Sequence, residues 1–276
     1  ENRDEAVALL RQTIHEPRFD QDALDRVRAQ VMSGLRSEEK DPNDIAGKAF
    51  NAMAFGDHPY GSSGKGTVES VSALTRQDMF EAHEAVFARD RLYAGAVGDI
   101  SAEELGVLLD KLLGDLPETG APIPGPAEVT IEGGVSVIEF PTPQSVAIFA
   151  QRGIDRDDPE FFAAYIMNQI LGGGSFEVIR KEWRRMAEEG VTAQELQDAK
   201  TYLTGAYPLR FDGNGQIASI LAGMQMQGLP IDYIATRNDK VNAVTLEEVN
   251  AFAAKFMDPE GLHFTIVGQP EGLEAA

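Results

Sequence analysis

Apolar residues recur at helical spacing through the first third of the chain. Val7, Leu10 and Ile14 share one face over residues 5–15, and Pro17 closes that helix. Asp20 is the expected N-cap of a second helix carrying Leu24, Val27, Val31 and Leu35. Asp41-Pro-Asn-Asp opens a third, with Ile45, Ala49 and Met53 on one face. Thr75 caps a fourth, in which Met79, Ala82, Val86 and Phe87 recur. Leu92–Val97 is uniformly apolar and predicts a buried strand ending at Gly98-Asp99. Ser101-Ala-Glu-Glu104 then supplies a capping box for a helix through Leu113.

The pattern changes at residues 117–126, where four prolines and two glycines exclude both a helix and a central strand. This stretch predicts a linker over 117–128 between domains at 1–116 and 129–276. Strands are expected at Val129–Ile131, Val135–Phe140 and Ser145–Gln151. An apolar helix then runs to Leu171 and stops at Gly172-Gly-Gly174.

The two halves repeat. At an offset of 170, Val71, Ala73, Thr75, Leu92, Val97 and Gly98 meet Val241, Ala243, Thr245, Leu262, Val267 and Gly268, and Asp78 meets Glu248. Upstream the offset is 172, where Leu24 meets Leu196, and Phe55-Gly56 meets Gln227-Gly228. The expected fold is α+β, with two tandem homologous domains, each a mainly antiparallel sheet backed by helices. The strand-rich block at 129–171 has no counterpart in the first half, so the first domain reads as incomplete.

Composition narrows the function. With 24 Lys and Arg against 45 Asp and Glu, the formal net charge of −21 repels phosphate backbones and anionic lipid. Neither nucleic acid nor a membrane is expected as a partner, and the same field favours cationic peptides. The longest apolar stretch, from Phe161 to Met167, breaks at Asn168 and is too short to cross a bilayer. Cysteine is absent, which removes disulfides, thiolate catalysis and thiolate metal sites.

Four histidines remain as potential metal ligands: His15, His58, His83 and His263. A zinc site on one helix needs two imidazoles about a turn apart, and no such pair occurs. Phe87 stands four residues after His83. Helix-face packing is the expectation for His83, strand packing for His263 and a loop for His58. Gly61-Ser-Ser-Gly64-Lys65-Gly66-Thr67 departs from a phosphate loop, because Pro59 replaces the first glycine and Gly66 separates Lys65 from Thr67. Asp212-Gly-Asn-Gly is a turn. Gly172, Gly173, Gly174, Ser175 and Phe176 are the candidate binding residues: three glycines exceed what a helix C-cap needs, and a backbone-rich loop can offer N–H and C=O groups to an extended peptide.

Four stretches together resemble the pitrilysin/insulinase-type zinc peptidases. They are Phe55-Gly-Asp-His-Pro-Tyr-Gly61 with Gly66 and Leu74-Thr75, the segment Leu92–Asp99, the loop Leu171–Phe176, and Glu188–Lys200. The resemblance implies two like-folded halves or subunits closing around a chamber for an unfolded peptide. It also exposes departures. The family's zinc-binding His-x-x-Glu-His belongs to a front segment absent here, and its two glutamate positions on the helix after Asp20 hold Val27 and Gly34. The family's Arg- and Tyr-bearing block after the glycine-rich loop is missing near 176/177.

The resemblance therefore implies a non-catalytic subunit that positions peptide for a zinc-bearing partner of the same fold, with no catalytic residue, metal ligand or cofactor in this chain. The alternatives are a self-sufficient zinc peptidase whose metal motif lies outside this sequence, and a peptidase-fold scaffold or binding protein. The chain opens without Met, and with the family's bacterial relatives this fits a periplasmic or secreted home.

Overall fold

The computed structural model describes residues 3–171 and 176–270. In chain order its elements are α1 (Arg3–His15), α2 (Gln21–Glu38), α3 (Pro42–Phe55), α4 (Val68–Ala73), α5 (Arg76–Val86) and α6 (Ala102–Leu113). Then come β1 (Gly134–Glu139), β2 (Val146–Ala150), α7 (Phe161–Leu171), α8 (Phe176–Glu188), α9 (Ala193–Ala206), α10 (Asn214–Met226), α11 (Tyr233–Ala243), α12 (Leu246–Phe256) and β3 (His263–Gly268). The fold is α+β, as expected.

Local chemistry places most helix starts. Asp41 accepts the Asn43 N–H, with Pro42 at the first helical position of α3. Thr75 and Thr245 begin α5 and α12 with reciprocal capping boxes to Asp78 and Glu248, and Ser101 does the same for α6 through Glu104. Hydrogen bonds from the Thr75 hydroxyl and amide hold the Asp78 carboxyl below the ordinary aspartate value. Thr75→Ala and Thr245→Ala should each lower stability by about 1 kcal/mol. Urea unfolding reads this directly, and an unchanged midpoint in both variants would refute the capping role.

Asp20 immediately precedes α2, and its carbonyl accepts the Leu24 N–H at 2.9 Å, as the N-cap position requires. Two expectations need correction. Residues 129–131 form no strand, because the Thr130 amide donates to the Ala54 carbonyl at 3.0 Å and so satisfies an orphan acceptor at the end of α3. Residues 92–97 form no strand either: a ladder needs a neighbour, and among the described residues none of their backbone groups pairs with another backbone. The short helix α4, capped by Thr67 and Ser70, was not foreseen.

The repeat is visible in the backbone. Leu74 and Val244, which end α4 and α11, have φ/ψ of −58/136 and −60/130. Thr75 and Thr245 have −108/170 and −93/165. Gly56 and Gly228 take φ of 52 and 62, and Gly98 and Gly268 take 157 and 147. Glycine reaches these conformations without a Cβ clash.

Packing cuts across the two sequence halves. One compact unit comprises residues up to Arg36, Lys65–Gly125 and Arg210–Pro230. The other comprises Ser37–Gly64, Pro126–Leu209 and the chain from Ile231 onward. Units of packing therefore do not coincide with the stretches 1–116 and 129–276.

The second unit holds a three-stranded sheet of order β1-β3-β2, in which β1 runs parallel and β2 antiparallel to the central β3. Every residue of β3 is buried. Its core joins Phe264 and Ile266 of β3 to Ile166 and Met167 of α7, Met186 of α8, and Val249, Phe252 and Ala253 of α12. The buried residues on α3 are Ala46 and Ala54, small side chains that let this helix lie close to β2 and β3. In the first unit α1 packs on α6, and α10 lies against residues 92–97. A Cβ on Gly95 would stand 2.2 Å from the Ala218 carbonyl oxygen, so only glycine admits that approach.

Candidate functional site

The candidate loop joins α7 to α8, and core side chains anchor it on both sides. Ile166 and Met167 are buried on α7, as are Ile179, Trp183 and Met186 on α8. Gly172, Gly173, Gly174 and Ser175 lie outside the described residues. Phe176 opens α8, and its side chain is likewise not described.

Gln151 ties this region to the sheet. It follows β2, accepts the Trp183 indole N–H at 3.0 Å and donates to the Phe256 carbonyl at 2.9 Å. Phe149, near the end of β2, stacks on Phe264 with centroids 5.5 Å apart and meets Trp183 edge-on at 6.2 Å. The end of β2, the body of α8 and the end of α12 thus form one fixed assembly. β2 pairs with β3 along one edge; among the described residues no strand pairs with its other edge. Sequence reading missed the role of Gln151. Its only signal was a polar side chain closing an otherwise apolar strand.

Beyond β2 the second unit opens into a cleft of about 810 Å³. Phe252, Phe256 and Ile154 give it an apolar floor, while Arg152, Asp155 and Asp158 stand among its polar groups. Glu160 pairs with Lys255, and this hydrogen bond raises the ammonium above the ordinary lysine value. The Asp158 carboxylate accepts the Glu160 N–H at 2.7 Å.

The histidines are each engaged locally. His15 Nε2 donates to the Leu112 carbonyl at 2.7 Å. His58 Nδ1 accepts the Tyr60 N–H at 3.2 Å. His83 stacks on Phe87 with centroids 4.6 Å apart. His263 Nδ1 donates to the Glu132 carbonyl at 2.9 Å, and its Nε2 lies 3.0 Å from Ser136 Oγ. Val27 and Gly34 are both exposed on α2, and a Cβ built on Gly34 meets nothing within 4 Å. A glutamate would fit there, so space does not explain its absence. Among the described residues no three His, Cys, Asp or Glu side chains gather as a metal site, and the residues present do not fit zinc. No described helix is long and apolar enough to cross a membrane.

Residues 73–177 match the family model described as the Peptidase M16 inactive domain. The non-peptidase homolog YmxG of Helicobacter pylori (strain ATCC 700392 / 26695) is 23% identical over 313 residues, covering 97% of this chain and 72% of that protein. An uncharacterized zinc protease of Mycobacterium leprae (strain TN) is 23% identical over 302 residues, covering 92% of this chain and 68% of that protein. A crystal structure of a peptidase M16 inactive domain from Pseudomonas fluorescens shares the fold, with a TM-score of 0.84 at 24% identity over 99% of this chain and 76% of that one. The chain thus has the fold of the M16 peptidase structures, and it is similar to proteins described as an M16 inactive domain and a non-peptidase homolog.

Proposed function

We propose that this chain is the non-catalytic subunit of an M16-type peptidase, holding peptide for a zinc-bearing partner of the same fold. The observation that carries the reading is the chemistry of α2: Val27 and Gly34 occupy the positions where the resemblance puts glutamates, and neither can coordinate zinc or move a proton. The match to the inactive domain supports the same reading. Hydrolysis is assigned to the partner. This chain contributes the open edge of β2, which can add an extended peptide as a further strand, together with the loop Gly172–Ser175 and Phe176. The net charge of −21 favours cationic peptides. The two homologous halves meeting at 117–128, and a further block near 176/177, belong to this proposal.

Co-purification with a zinc-bearing M16 partner, followed by assay on quenched peptides, tests the reading. The chain alone is expected to leave the peptides intact. The pair is expected to cleave them, and a chelator to stop it. Chelator-sensitive cleavage by this chain alone would instead establish a self-sufficient zinc peptidase. Failure to associate with or stimulate any such partner would leave the scaffold role.

A further inference from the structure

We infer that Arg156 anchors a carboxylate-binding site on the second unit, with Lys240 supplying a second positive charge beside it. The lack of an anion at Arg156 is the first reason. Arg156 lies half-buried in the loop between β2 and α7, and its Nε is buried without a hydrogen-bond partner. Among the described residues its one hydrogen bond runs from Nη2 to the Tyr233 hydroxyl, so most of its donors are free. A guanidinium taken out of water normally meets a carboxylate, and this chain has 45 acidic residues against 24 basic ones. Asp155 and Asp157 flank Arg156 in sequence, yet no described ion pair includes it. Asp155 lines the cleft beyond β2 instead.

Aromatic rings hold this guanidinium in place. Its Cζ lies 4.1 Å from the Phe161 ring centroid and 5.2 Å from that of Tyr233. Phe161 stacks on Tyr165 with centroids 6.0 Å apart, and the Arg237 guanidinium lies 5.4 Å from the Tyr165 centroid. The two arginines therefore share one aromatic stack and differ in their acceptors. Arg237 donates from both Nη atoms to a carbonyl, an amide oxygen and a hydroxyl. Arg156 has the same aromatic support with the Tyr233 hydroxyl alone. A cation fixed in position, with donors to spare, is preorganised for an anion.

Lys240 adds the second charge. It stands about two turns along α11 from Tyr233, and its Nζ lies 5.5 Å from the Tyr233 ring centroid. No described ion pair includes Lys240 either. Two cations around one ring repel each other, and a bound negative charge relieves that repulsion. The planar guanidinium fork matches the two oxygens of a carboxylate. One fork with one neighbouring ammonium also suits a single negative charge better than the higher charge of a phosphate. The ligand is therefore a carboxylate, carried by a peptide C-terminus or by a small organic acid.

Titration of the 276-residue chain tests this without depending on the peptidase role. Proton–nitrogen NMR follows the Arg156 Nε–H and the backbone amides of Phe161 and Tyr233. Acetyl-trialanine with a free C-terminus should shift these signals saturably, with a dissociation constant on the order of 1 mM. Its C-terminal amide should leave them in place, and inorganic phosphate should bind more weakly than the acid. Propionate separates the two sources: binding equal to that of the peptide acid supports a small organic acid, and weaker binding supports a peptide terminus. Arg156→Lys keeps the charge without the fork and should weaken the peptide acid about 10-fold, read at the two amides. Lys240→Met should weaken it about 3-fold and lessen its salt dependence. The inference fails if the amide shifts the signals as the acid does, if the shift never saturates, or if phosphate binds more tightly than either carboxylate. Those three outcomes are read on the native chain, so a misfolded variant cannot mask them. Binding by Arg156→Lys as tight as native would overturn the fork as well.

Discussion

Replacing Phe264 with alanine is expected to lower the unfolding free energy by about 4 kcal/mol, within the usual range for an aromatic core truncation. Phe264 is fully buried in the middle strand, so both edges of its backbone are held while its ring packs inside the second unit. The ring stacks on Phe149, and the Arg180 guanidinium lies 5.1 Å from its centroid. Truncation removes apolar burial and leaves a cavity that the flanking strands cannot close, because their register fixes them. Phe264→Leu keeps most of the volume and should cost no more than about 1.5 kcal/mol. Urea unfolding monitored by circular dichroism measures both. A Phe264→Ala loss below about 1 kcal/mol would mean that the core does not depend on this ring.

Arg237→Ala should rank next, at about 3 kcal/mol, because it strips the partner from one buried and two half-buried acceptors at once. Arg237 is 4% exposed, and none of the described ion pairs gives it a carboxylate. Instead Nη1 donates to the Leu203 carbonyl at 2.7 Å and to Asn238 Oδ1 at 2.8 Å, while Nη2 donates to the Tyr165 hydroxyl at 2.9 Å. Its guanidinium also lies 4.4 Å from the Tyr207 ring centroid. Leu203 belongs to the last turn of α9, whose carbonyls have no intrahelical partner and form the negative end of the helix dipole. A buried cation is tolerated because dipole and aromatic faces take the place of an anion. Arg237→Lys retains the charge but loses the planar fork and should recover less than half of the loss. If Arg237→Lys matched the native protein, charge alone would matter and the geometric account would be wrong.

Periodicity and caps identified most helices because those signals are local. A Thr side chain bonding an amide three residues on, or apolar residues a turn apart, acts within one segment whatever the rest of the fold does. The repeat at 170 was legible for the same reason: Thr75 and Thr245, or Gly98 and Gly268, impose their backbone angles locally. The lack of paired histidines, and Val27 and Gly34 in place of glutamates, were equally plain, since side-chain chemistry is a property of each residue.

Pairing was not legible. Residues 92–97 and 262–267 read alike as apolar strands, but a strand exists only with neighbours, and the second of them alone has neighbours among the described residues. Residues 129–131 read as a strand and instead close α3, because the Thr130 amide meets the Ala54 carbonyl from far along the chain. The same holds for Arg237 in its polar-looking helix, for Gln151 between α8 and α12, and for packing units that draw on both halves of the chain. Each of these depends on which distant group arrives at a given point, and that is decided by burial and hydrogen-bond satisfaction across the whole unit, beyond the reach of any one segment's pattern.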